Sequence, residues 1–294
     1  MTYSTQVNRL FLIVFGEKIQ KRFENIILVL AGLGFLIHLL LIALKTKNIG
    51  FLSEINSSLL NDPITAIYTP FSLILIYEVY LLVFYLPRSF TSCVSKQFEV
   101  ISLIVIRKIF KDIPQMDLQG DWYLSQHNLA LMVDLLGFLL LFLLIYLFNV
   151  GKNRLPKKVV NDPKLLNFIS SKKVVSLVLL LLLMITSTYS LINWSMHVFT
   201  DGFVSNVDGV FFNQFFTLLI LTDVIILLIS FRYTEEYSKL IRNTGFIIST
   251  ILIRLSFSAD GFLNIILILT GVGFAVLIQQ IFNAMENPKL DSTA

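Results

Sequence analysis

Six long, almost unbroken apolar runs dominate this chain: Ile26 to Leu44, Ile67 to Leu86, Leu129 to Val150, Val174 to Val198, Phe211 to Phe231 and Phe262 to Met285. A helix rising about 1.5 Å per residue needs about 20 apolar residues to cross roughly 30 Å of hydrocarbon. Each run meets that length, and a water-soluble fold would have no interior large enough to hide all six. Composition points the same way. Of 294 residues 56% are apolar and 14% charged, with a mean hydropathy of +0.80; a soluble domain carries about a quarter charged residues to cover its surface. The expected fold is therefore all-α, a polytopic transmembrane helical bundle with lipid as its principal partner.

Two shorter segments, Ser95 to Phe110 and Gly245 to Phe257, are apolar but carry basic residues at their ends or inside. Lysine and arginine in short loops hold those loops in the cytoplasm. With both segments spanning, seventeen basic residues fall on the inner side and four on the outer, with Arg107 and Arg254 inside helices. With both lying on the surface, the stretch Lys152 to Lys173 and its seven basic residues move outside. Eight crossings fit better, and they put both termini in the cytoplasm of a plasma (inner) membrane protein.

The two halves echo each other. Ser102-Leu-Ile-Val-Ile-Arg-Lys-Ile-Phe110 aligns without gaps to Ser249-Thr-Ile-Leu-Ile-Arg-Leu-Ser-Phe257, and Glu78-Val-Tyr-Leu-Leu precedes the first as Asp223-Val-Ile-Ile-Leu precedes the second. The expected organisation is an interfacial or cytoplasmic segment at 1–25, a four-helix repeat at 26–150, a basic linker at 151–173, a second repeat at 174–285 and a tail at 286–294. Each half crosses an even number of times, so the repeats share one orientation, related by an axis along the membrane normal.

An ionisable group at membrane depth costs at least about 2.5 to 3.5 kcal/mol, so it faces the bundle, a water cavity or a partner charge. The candidates are Glu78, Arg107, Asp134, Asp223 and Arg254, with Lys96 and Glu99 close by. Glu78 and Asp223 each sit eight residues from the inner end of their runs, about 12 Å deep, and Arg107 and Arg254 about 18 and 14 Å deep. Lys96 and Arg107 share a stripe of their helix, because eleven residues at 100° return close to the start, and Glu99 lies beside it. Asp134 comes within reach of Arg107 and Lys108. These groups are expected to line a path for a small ion or protons, with arginines tuning the carboxylates; the competing expectation is that each acid and arginine form a neutral pair that only ties helices together.

Other signals carry less. His38 and His197 are candidate proton carriers, although isolated histidines in bundles more often serve packing. Pro70 is expected to kink the second run near Glu78. Gly32 and Gly34, and Gly271 and Gly273, suit close helix approach. The apolar stretch Leu10 to Phe15, followed by Lys18, Lys21 and Arg22, is expected to lie along the inner headgroups or to cover the bundle. Asn56-Ser57-Ser58 matches a glycosylation acceptor. Residues 1–10 show no removable signal peptide.

The net charge of +4 is too small and scattered for nucleic acid. Cys93 is the sole cysteine, so neither an intrachain disulfide nor a thiolate metal cluster is available. No hydrophilic stretch between the proposed crossings exceeds about 25 residues, too few for a separate catalytic or nucleotide-binding domain. No metalloprotease helix, phosphate-cradling loop or serine elbow is present. The expectation is a non-enzyme without cofactors that conducts or exchanges ions. The alternative is a non-transporting membrane subunit, working as a homo-oligomer or with a membrane protein partner.

Overall fold

A computed structural model describes residues 3–47, 62–113, 125–154, 163–201, 207–233, 236–257 and 261–291, with the single positions 60, 116 and 259. Among them the chain is helical, without strands. The helices are α1 (Tyr3–Phe15), α2 (Glu17–Thr46), α3 (Tyr68–Tyr85, entered by a 3₁₀ turn at Pro63–Ile67), α4 (Phe90–Asp112), α5 (Gln126–Asn153), α6 (Pro163–Asp201), α7 (Val207–Tyr233), α8 (Tyr237–Ser256) and α9 (Phe262–Asp291). The glycosylation acceptor at Asn56 to Ser58 lies outside the described residues.

Six segments are long and apolar enough to cross a membrane: Gln6–Thr46, Pro63–Tyr85, Gln126–Asn153, Leu166–Tyr189, Phe215–Tyr233 and Phe262–Glu286. Their outward faces are apolar: Leu36 and Leu40 on α2, Leu139 and Phe142 on α5, Leu181 and Met184 on α6, and Leu277 on α9 are all exposed. A soluble protein does not show apolar surface on this scale. The chain is a multi-pass membrane protein by this criterion.

Helices α4 and α8 miss it through composition, not length: 23 and 20 residues rise about 34 and 30 Å. Helix α4 is enclosed by other helices, whereas α8 buries one face and exposes Tyr237, Ile241, Ile248 and Leu255 along the other. Each helix from α2 to α5 packs on the next, as does each from α6 to α9, and the halves meet where α4 crosses α8, α5 lies on α9 and α3 touches α6. Among its described residues α4 has one exposed side chain, Glu99. A helix covered by neighbours on nearly every side needs no lipid-compatible surface, which is why its sequence tolerates charge.

Two cores hold this arrangement. One joins α4, α5, α8 and α9, where Phe148 meets Phe98 edge-on at 5.0 Å and Phe246 at 5.5 Å, with Leu141, Ile253, Ile268 and Val272 around them. The other joins α1, α3, α4, α6 and α7 through Phe11, Phe15, Leu82, Leu179, Phe215 and Leu219.

Several boundaries move. The third and seventh apolar segments begin earlier than their hydropathy suggests, at Phe90 and Tyr237 instead of Ser95 and Gly245. Lys96 therefore lies on the second turn of α4, buried, and not at an inner helix end. Asp134 is eight residues into α5, deeper than the run starting at Leu129 implied. Pro70 is the third residue of α3, in the first turn, where a missing N–H breaks no intrahelical bond, so the expected kink beside Glu78 has no cause.

The N-terminal stretch packs on the bundle by one face and leaves Leu10, Leu12 and Ile13 exposed on the other. Tyr80 donates its hydroxyl to the Val14 carbonyl at 3.1 Å, Phe15 lies 5.3 Å from the Tyr80 ring, and Lys173 on α6 donates to Asn8 Oδ1 at 2.6 Å. The glycine pairs split. A Cβ on Gly271 would sit 2.7 Å from Ile253 and 3.0 Å from the Ser249 carbonyl, and one on Gly34 would crowd Thr69, whereas Gly32 and Gly273 meet nothing within 4 Å. Close approach at Gly271 lets Ser249 donate to its carbonyl at 2.6 Å across α8 and α9.

Candidate functional site

A buried pair of opposite charges joins α7 and α8. Asp223 and Arg254 are 6% and 5% exposed, and Arg254 Nη2 stands 2.8 Å from Asp223 Oδ2. A third helix completes the cluster: Gln97 of α4 accepts from the same Nη2 at 3.0 Å and donates its Nε2 to Asp223 Oδ2 at 3.1 Å. The amide thus offers its acceptor to the cation and its donor to the anion, the orientation that satisfies both. Arg254 Nη1 is buried and meets no acceptor among the described residues. Asp223 and Arg254 carry one charge each of opposite sign, and both are buried.

The first half is arranged differently. Lys96 Nζ on α4 lies 2.5 Å from Glu78 Oε2 on α3 and 2.9 Å from Glu99 Oε2 one turn along its own helix. The Glu78 side chain is 15% exposed and that of Glu99 is 48%. Two carboxylates share one ammonium, leaving the trio one negative charge in excess. Next to it Tyr77 donates to Glu24 of α2 at 3.2 Å. Polar groups from α2, α3 and α4 therefore meet about 10 to 14 Å from the same helix ends.

The expected pairing of each arginine with the acid of its own half is found for Arg254 with Asp223. For Glu78 it is corrected: Lys96 holds that carboxylate, and Arg107 donates from Nη1 to Ser72 Oγ on α3 at 3.4 Å. The reason is the earlier start of α4, which buries the Lys96 ammonium at the level of Glu78. Asp134 does meet one of its two expected partners, Lys108, at 2.8 Å. His38 shares a 2.6 Å hydrogen bond with Thr69 Oγ1 across α2 and α3. His197 lies on α6.

Sequence reasoning missed Gln97, because a neutral amide raises no alarm in a hydropathy count. It also missed a chain of amides joining α5 to α9. Gln279 donates to Asn283 Oδ1 and Asn283 to the Gly151 carbonyl, both at 2.8 Å, leaving Gln279 Oε1 buried without a donor among the described residues. Lys172, another buried cation, donates to the Arg88 carbonyl and sits over the rings of Phe90 and Phe168 at 5.0 and 5.1 Å.

Among the described residues no group of three His, Cys, Asp or Glu is placed to hold a metal. What the trio of Lys96, Glu78 and Glu99 can do chemically is accept a proton or a small cation, since its spare negative charge is offset by nothing within the trio. What the Asp223, Arg254 and Gln97 cluster can do is hold three helices in register. No protein family, curated protein or solved structure matches the chain.

Proposed function

We propose that this protein moves protons or a small cation across a membrane, with Glu78 as the exchanging carboxylate, Lys96 and Glu99 as the groups that set its charge, and Asp223 and Arg254 as a fixed tie. The observation that carries this reading is the shared ammonium. A neutral structural pair needs one acid for one base, whereas here a shielded carboxylate and an open one compete for a single lysine. Uptake of one positive charge by the trio removes the excess, and its release restores it.

The architecture that goes with this reading has eight crossings, with α4 and α8 as the third and seventh, both termini cytoplasmic, and the halves related as repeats. Its support is the burial of α4 between other helices, the apolar face that α8 exposes at Ile241, Ile248 and Leu255, the length of both helices, and the basic residues gathered on one side. The test is flux in liposomes. Purified protein is expected to pass protons or a small cation under an imposed gradient, and Glu78→Gln to abolish that flux while the protein still folds, with Asp223→Asn acting through stability. Absence of flux under every cation gradient would discard the conduit.

A second reading has one observation of its own. The closed cluster of Asp223, Arg254 and Gln97 is what a non-transporting membrane subunit would use to lock its helices. If Glu78→Gln leaves flux unchanged, that reading gains.

A further inference from the structure

Two stacked phenylalanine pairs stand at matching places. Phe71 precedes Glu78 by seven residues as Phe216 precedes Asp223, and Phe110 follows Arg107 by three as Phe257 follows Arg254. Phe71 stacks on Phe110 with centroids 5.1 Å apart and planes at 19°, and Phe216 stacks on Phe257 at 4.4 Å and 3°. The α3/α4 and α7/α8 pairs are thus docked in the same register beside their arginines. From that common anchor the guanidinium groups diverge. Arg254 runs along α7 to Asp223, whereas Arg107 reaches Ser72, six residues or about 9 Å along α3 from Glu78.

What differs between the halves is the competitor. The residue matching Lys96 is Asn243, a neutral amide whose Oδ1 accepts from Arg242 at 3.0 Å. In the second half the arginine is the cation that holds the acid, helped by the neutral Gln97; in the first, a lysine arrives as well.

We infer that Glu78 has two partners, Lys96 as seen here and Arg107 in the manner of Arg254 with Asp223, and that exchange between them switches the site. Reach is not the obstacle, because glutamate is one methylene longer than the aspartate that makes the equivalent bond. Charge is not an obstacle either. When Glu78 moves to Arg107, Lys96 keeps Glu99 at 2.9 Å, so the ammonium is not stranded. The exchange carries the carboxylate away from the open side, where Glu99 lies, toward the opposite end of α3. Its consequence for transport rests on the function proposed above; the pairing itself does not.

The test copies the second half into the first. Full-length Lys96→Asn protein, reconstituted in lipid, is combined with Glu78→Gln, with Arg107→Gln and with both, and thermal unfolding is followed. Arg107 is expected to hold Glu78 once Lys96 is gone, so the Lys96→Asn protein folds and the two further substitutions are not additive: the combined protein melts higher than the separate losses predict. Infrared spectra at neutral pH are expected to show no protonated carboxyl that disappears with Glu78→Gln. Additive losses, such a protonated carboxyl, or failure of Lys96→Asn to fold would each overturn the exchange. Coupling without flux removes only the conduit, and flux without coupling removes only the exchange.

Discussion

A carboxylate and a guanidinium taken out of water together recover their hydration only from each other, so removing one strands the other. For Asp223 and Arg254, buried to within a few per cent, the penalty of a single truncation is about 3–5 kcal/mol, and removal of both by apolar residues of similar size is far milder. Asp223→Asn and Arg254→Met are each expected to lower the unfolding temperature strongly in detergent, and the Asp223→Leu/Arg254→Met protein to recover most of the loss. A double protein worse than either single would show that the pair does more than neutralise itself. The glycines give a cleaner contrast. Gly271→Leu is expected to cost at least about 1–3 kcal/mol by overpacking against Ile253 and the Ser249 carbonyl, while Gly32→Leu, facing open space, leaves unfolding unchanged. At this scale the sequence was legible wherever a residue was out of place for its surroundings: an ionised side chain deep in an apolar run is rare, so Asp223, Arg254, Glu78 and Asp134 were found. Gln97 and Asn283 were not, because an amide is common enough to pass as background.

The helices themselves were legible where they face lipid, since an apolar surface is a requirement there. The enclosed helix α4 is free of that requirement and α8 meets it on one face only, so both read as short segments with ambiguous ends. A local signal was available for α4. Ser89 caps it by accepting from the Ser92 N–H at 3.2 Å, and serine before an apolar run is a recognised start signal; hydropathy placed the start five residues later and so left Lys96 at the end of its helix. Whether α8 crosses is open to direct measurement. In a Cys93→Ser background, Lys239→Cys in the first turn of α8 and Ala259→Cys just past its end are expected to react with a membrane-impermeant thiol reagent from opposite faces of sealed vesicles. Labelling of both from one face would lay α8 along the surface and withdraw the eight-crossing architecture.

Across the whole molecule, the apolar belt and the all-helical class followed from composition and run length, while the meeting of the halves did not. Which helices touch across the seam depends on complementary shapes, and one sequence carries no signal for that. The seam is where Gln97 matters beyond its hydrogen bonds. An amide from one half closes the ion pair of the other, so α4 is geared to α7 and α8. Rocking the two halves apart as rigid bodies would have to break that buried clasp, so α4, α7 and α8 are expected to move as one piece.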